Sequence, residues 1–182
     1  MKPVLTYDNA ILPLSLLHAA AIYDDPETRE IAEESMNFLS AITLGNGYLS
    51  VVGNEKWYAR DGKQSLFAQQ PIDAMVMVLM FQKAFQLTKN KSYRDKMNTS
   101  FMWFLGENDL RMNLYDGETK GCCDGLENYG VNRNQGAEST LAYLVAHIAW
   151  LEVFEEIETY PAANSKDVQI RNKERVSVNI AG

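Results

Sequence analysis

Gln70-Pro71-Ile72-Asp73-Ala74-Met75-Val76-Met77-Val78-Leu79-Met80-Phe81 is the stretch that decides the fold. Proline suits the first position of a helix, where its missing N–H is not needed, and an acid in the first turn meets the positive end of the helix dipole. The apolar run after Asp73 leaves no polar face, and a helix that is apolar all round is buried on every side. A helix over Pro71 to Thr88 is therefore predicted in the interior of the molecule.

The segments on either side read as helices of two kinds. Ile11 to Tyr23 is apolar, with Asp8-Asn9 placed to cap it and Leu14, Leu17, His18, Ala21 and Ile22 as its face. Asp25-Pro26-Glu27 opens an amphipathic helix with the stripe Ile31, Ala32, Ser35, Phe38, Leu39 and Ile42, stopped by Gly45-Asn46-Gly47. Another amphipathic helix runs from about Ser92 to Leu105, and a strongly apolar one from Gly136 or Ala137 to about Ile157. Between them a short strand is expected at Tyr48 to Val52 and a hairpin, or a structured loop, around Asp116-Gly117.

Apolar and amphipathic helices alternate, which is the signature of a repeat. Phe38-Leu39 recurs as Phe104-Leu105, 66 residues on, while Gln70 and Asp73 recur as Gln135 and Glu138, 65 residues on. A long Gly-rich loop with aromatics separates each pair. The expected unit is an αα-hairpin: an outer helix, a long loop, then a buried inner helix. The expected fold is all-α, with residues 1–160 as the helical domain and 161–182 as a polar tail.

The whole chain has 182 residues, 46% of them apolar, and a formal net charge of -7. That balance argues against a protein that tracks nucleic-acid phosphates, which would show a basic stripe. No apolar run is long enough to span a membrane, and the first residues do not read as a secretion signal. Cys122 and Cys123 are adjacent, an awkward placement for a disulfide between them, and a reduced, cytoplasmic setting is the expectation. Two histidines, His18 and His147, and two adjacent cysteines give no zinc spacing, so no metal is expected. No phosphate-binding glycine motif is present and no cofactor is expected. Both histidines lie on apolar faces and read as core residues.

Asp73 and Glu138, each in the first turn of an apolar helix, are the candidate catalytic residues. In a ring of hairpins the inner-helix N-termini gather at one mouth. Two carboxylates flanking a sugar can then act as acid and base in glycoside hydrolysis. An acid at that position also stabilises a helix without any catalytic role. The loops ahead of the two helices add aromatic faces and paired hydrogen-bonding groups, the combination that sugar recognition uses. Trp57, Tyr58 and Tyr129 are candidate stacking platforms, and Arg60, Gln70, Asp124, Asn132, Arg133, Asn134 and Gln135 are candidate polar contacts. Each of them alone is as readily a turn former, and Trp57 a core plug.

Phe67-Ala68-Gln69-Gln70-Pro71-Ile72-Asp73-Ala74, Trp103-Phe104-Leu105-Gly106-Glu107-Asn108-Asp109-Leu110, Cys122-Cys123-Asp124-Gly125-Leu126 and Asn132-Arg133-Asn134-Gln135-Gly136-Ala137-Glu138-Ser139-Thr140 carry a family resemblance. Over residues 8 to 157 the chain resembles the C-terminal part of the six-hairpin (α/α)-toroid region of bacterial proteins named as glycosyltransferases or related to glycosidases. The resemblance implies a partial (α/α)6 toroid, a carbohydrate partner, and a role in binding or processing glycans. A non-catalytic sugar-binding or accessory domain and a structural helical-repeat module are the alternatives. Five helices fall short of the twelve that a closed six-hairpin ring needs. The flanks of the buried helices would then be exposed as an apolar patch. Self-association, or pairing with a missing N-terminal half, is the expected consequence.

Overall fold

The computed structural model describes residues 4–158, with side chains to residue 154. The tail expected at 161–182 lies outside the described residues. The chain divides into two units, Met1–Trp150 and Leu151–Gly182, and all the packing described lies within the first. In order come β1 (Val4–Leu5), α1 (Ile11–Tyr23), α2 (Pro26–Thr43), β2 (Tyr58–Ala59), α3 (Pro71–Thr88) and α4 (Lys91–Met102). A 3-10 turn over Trp103–Leu105, then β3 (Gly125–Glu127), β4 (Gly130–Asn132) and α5 (Ala137–Glu158), complete the order. The expectation of an all-α chain is thus corrected: helices dominate, but two short antiparallel ladders, β1 with β2 and β3 with β4, organise the loops.

The apolar run after Asp73 behaves as its composition dictates. α3 buries Ala74, Val76, Met77, Val78, Met80 and Phe81, residues that point in all directions around the helix. It packs against α1 and α4, and α1 packs against α2. α5 meets α3 where Gln82 Nε2 donates to the Ala149 carbonyl at 3.1 Å. It meets α4 through an aromatic cluster in which Phe101 stacks against His147 and Trp150.

Three local expectations are corrected. Asp8 and Asn9 do not cap α1: the Asn9 side chain turns back to bond Thr6, and Ala10 occupies the cap position without a side-chain bond. α1 buries Pro13, Leu14, Leu17 and Ala20, leaving His18, Ala21 and Ile22 exposed. α2 buries Ala32, Met36, Leu39, Ser40 and Thr43, while Ile31 and Phe38 lie outside. The reason is that Ser40 and Thr43 hydroxyls donate to the Met36 and Leu39 carbonyls at 2.8 and 2.7 Å. With their polar atoms satisfied within the helix, these residues can enter the core.

Tyr48 to Val52 is not a strand. Leu49, Val51 and Val52 are buried there, but the backbone bonds singly, Ser50 N to the Thr43 carbonyl and Gly53 N to the Ser65 carbonyl. Gly53 has to be glycine, because a Cβ there would sit 1.8 Å from the Phe67 carbonyl oxygen. Around Asp116-Gly117 the chain does fold back, closed by a single Tyr115–Cys122 bridge. The regular ladder comes twelve residues later, turning at Asn128-Tyr129.

Candidate functional site

Asp73 sits in the first turn of α3 and is only 5% exposed. One oxygen accepts the Asp8 backbone N–H at 2.6 Å, and the other is buried without a partner. Burial drives its pKa up to about 7, against the Asp8 N–H bond and reinforced by the nearby Asp8 charge. Burial raises Asp8 as well, and one Asp8 oxygen is also buried and unpartnered. Asp8 holds a left-handed backbone, φ 55°, to reach this place. Beside Asp73 a cavity of about 10 Å³, lined also by Asn9, Leu39 and Met77, has room for about one water.

Glu138, in the first turn of α5, is exposed. α3 starts at Pro71 and α5 at Ala137, so in helix position the counterpart of Asp73 is Ser139, buried as Asp73 is. Ser139 Oγ donates to Asp124 Oδ1 at 2.7 Å, and the same oxygen accepts the Gly136 N–H at 2.8 Å. Asn134 Nδ2 donates to the other Asp124 oxygen. Burial works against the charge on Asp124, but the bonds from Ser139, Asn134 and Gly136 together hold its carboxyl below the usual range. Asp124 therefore caps α5 from a distance along the chain, and Gly136 lets it approach: a Cβ there would lie 3.0 Å from Asp124 Oδ1.

Gln69 is fully buried and joins three segments. Its backbone pairs reciprocally with Leu126 in the β3–β4 hairpin. Its side chain accepts Trp103 Nε1–H at 2.8 Å and donates to the Leu66 carbonyl and to Asp109. Asp109 in turn accepts the Tyr48 hydroxyl at 3.3 Å.

Next to this knot a cleft of about 620 Å³ is lined by residues 111–118 together with Cys123, Val131 and Arg133. Burial pushes the Cys123 thiol up against the pull of the Arg133 guanidinium, and pushes Cys122 to about 12. Both thiols are free and stay protonated, so neither offers a thiolate nucleophile.

No family model matches the chain, and no curated protein matches it. Solved structures do. The fold resembles that of family 76 glycoside hydrolases. One, a mannosidase from Bacteroides thetaiotaomicron, is 14% identical with a TM-score of 0.59, over 80% of this chain and 38% of its own. Another, from a bovine Bacteroides thetaiotaomicron strain, is 16% identical with a TM-score of 0.53, over 81% of this chain and 35% of its own. The chain thus spans less than two-fifths of the length of these structures. Both are glycoside hydrolases, and neither bears on the glycosyltransferase side of the resemblance. No helix among the described residues is long and apolar enough to cross a membrane.

Within this fold the residues singled out from the sequence fall into separate places. Arg133 alone of them lines the cleft. Asp124, Asn132, Asn134 and Gln135 are hydrogen-bonded next to lining residues: the Asp124 N–H donates to the Asn132 and Asn134 carbonyls, and Gln135 Nε2 donates to Asp116 at 3.2 Å. Tyr129 is exposed at the turn of the β3–β4 hairpin. Trp57 is exposed, not a core plug; with Tyr58 and Arg60 it lies on the β2 arm. Gln70 is the residue before α3 and makes no side-chain cap. Sequence reasoning missed Asp8, Gln69, Asp109 and Arg111. Asp109 and Arg111 lie beside the Asn108 turn, and that run of polar residues after Gly106 is the one signal that pointed to them.

Proposed function

We propose that this chain is a carbohydrate-active domain of partial α/α-toroid architecture, built of αα-hairpins, whose cleft at residues 111–118 and Arg133 binds glycans. The observation that carries this reading is the likeness to family 76 glycoside hydrolases over four-fifths of the chain. The cleft's volume, within the usual range of small-ligand sites, supports it.

In the catalytic form of this reading, Asp73 is the general acid and Glu138 the base that activates water. A carboxyl that titrates at about 7 holds its proton where a general acid needs it. Glu138 is open to solvent, as a base for water must be. The non-catalytic form, a sugar-binding or accessory domain, has its own support: neither acid lines the cleft, and the cavity at Asp73 admits little more than a water.

Product release from a panel of oligosaccharides, followed by chromatography, tests the pair. Hydrolysis lost by a factor of about 10² or more in both Asp73→Asn and Glu138→Gln, with glycan binding retained, supports catalysis. Turnover unchanged in both variants would reduce the two acids to helix-stabilising roles. Binding without turnover of any oligosaccharide favours the accessory form. The chain also self-associates in this reading. The flanks of α1 and α5 expose apolar side chains, and the matched structures are more than twice the length of the part aligned.

A further inference from the structure

We propose that the cleft beside the Gln69 knot selects acidic saccharides, holding the oxyanion of a uronic acid or a sugar phosphate between Arg111 and Arg133. The inference rests on the glycan-binding reading and names the class of glycan.

Both arginines line the cleft and both are exposed. Among the described residues neither makes an ion pair; those that form join Arg29 to Asp24 and Arg94 to Asp95. In a chain of net charge -7, two arginines line one cleft with no described carboxylate within ion-pair distance of either. Guanidiniums left without an ion pair draw oxyanions.

The Arg111 guanidinium is also held in place. Arg111 lies over the Tyr48 ring, 4.6 Å from its centre. A guanidinium stacked this way keeps its N–H edges free for a ligand. Tyr48 is anchored to Asp109, and Asp109 to Gln69, so the platform is tied to the buried core. The Arg111 backbone is fixed at φ 55° by a tight turn around Asn108. Asn108 is fully buried: its Nδ2 donates to the Trp103 and Met112 carbonyls, and its Oδ1 accepts the Leu110 and Met112 N–H groups. A left-handed conformation at a non-glycine residue is costly and persists only where the surroundings enforce it. Arg133 is flanked by Asn132 and Asn134, whose carbonyls both accept the Asp124 N–H.

Two acids share the cleft, so its lining is balanced in charge and selection rests on the geometry of the guanidinium fork. Asp116 is turned into its own loop, where it accepts the Glu118 and Thr119 N–H groups and Gln135 Nε2. Glu118 is exposed, and neither acid forms an ion pair with either arginine. Arginine's planar fork binds carboxylate and phosphate oxygens in pairs, which a neutral sugar hydroxyl cannot match.

Calorimetric titration of the full chain with three probes tests this. They are a tetrasaccharide of alternating glucuronic acid and N-acetylglucosamine, the same tetrasaccharide with its carboxyls reduced, and a mannobiose carrying a 6-phosphate. The expected result is affinity at least tenfold higher for one acidic probe than for the reduced one. Arg111→Gln and Arg133→Gln should each erase that preference, and Arg111→Lys, which keeps the charge without the fork, should retain part of it. Preference for the uronate probe identifies a carboxylate glycan; preference for the phosphate probe identifies a sugar phosphate. Equal affinity for acidic and reduced probes overturns the proposal and leaves the glycan-binding reading intact. A preference that survives both glutamine variants also overturns it, and no binding of any probe removes both.

Discussion

Asp73 makes the molecule's stability depend on pH in a direction opposite to that of an ordinary paired carboxylate. Its folded carboxyl titrates at about 7 against 3.8 for the unperturbed group. The folded chain therefore holds that proton more tightly than the unfolded chain. Stability is fully present below the unfolded value and is lost as pH rises towards 7. Urea denaturation at pH 5 and at pH 7.5 should show a loss on the order of 2 kcal/mol from this group. Asp73→Asn should flatten that dependence, and an unchanged slope in the variant would show that Asp73 is not its source. The acid itself was legible in the sequence from its first-turn position. Its environment was not, because Asp8 is 65 residues away and reaches it through a left-handed turn that no local pattern announces. Pairing Asp73 with Glu138 came from an offset of 65, whereas the helices begin 66 residues apart, and that single residue moves the match from an exposed acid to a buried serine.

At the scale of elements, α5 owes its start to Asp124, which supplies from 12 residues upstream the cap that Gln135 and Gly136 do not. Asp124→Ala should cost about 1–2 kcal/mol in chemical denaturation, the usual worth of a lost helix cap. Ser139→Ala, which removes one of its partners, should cost less; equal stability of all three proteins would remove Asp124 from the capping role. Helix limits were legible wherever punctuation was chemical: Pro26 after Asp25, Pro71 after Gln70, and Gly106 past the end of α4 with its 3-10 turn. Helix faces were not. α1 has no charged residue to mark its wet side, so periodicity alone could not separate Leu14 and Leu17 from Ile22. In α2 the hydroxyls of Ser40 and Thr43 disguise a buried stripe as a polar one. The cleft was missed because its arginines come from a turn and a hairpin that only Gln69 and Asn108 bring into place.

For the molecule as a whole, two faces carry the expectation of self-association. Leu141, Leu144, Val145 and Ile148 recur at helical spacing on the exposed side of α5, with Leu141 59% exposed. Leu12 and Ile22 are also exposed on α1. Apolar stripes of this kind mark contact surfaces. Light scattering at micromolar concentration should give a mass above the 20.6 kDa of one chain. Leu141→Glu with Ile148→Glu should return it to one chain's mass, and a monodisperse monomer before any substitution would dismiss the contact. The Gln69 knot carries a different kind of consequence. Its bonds to Trp103, Asp109 and Leu126 link segments 34 to 57 residues apart, so none of them can form until distant parts of the chain have already met. Such contacts open only with the whole unit. In hydrogen–deuterium exchange the Gln69 and Leu126 amides should be among the last to exchange, though Gln69 lies in a loop and Leu126 in a three-residue strand rather than in a helix. Slow exchange in a loop would mark that loop as part of the folding core.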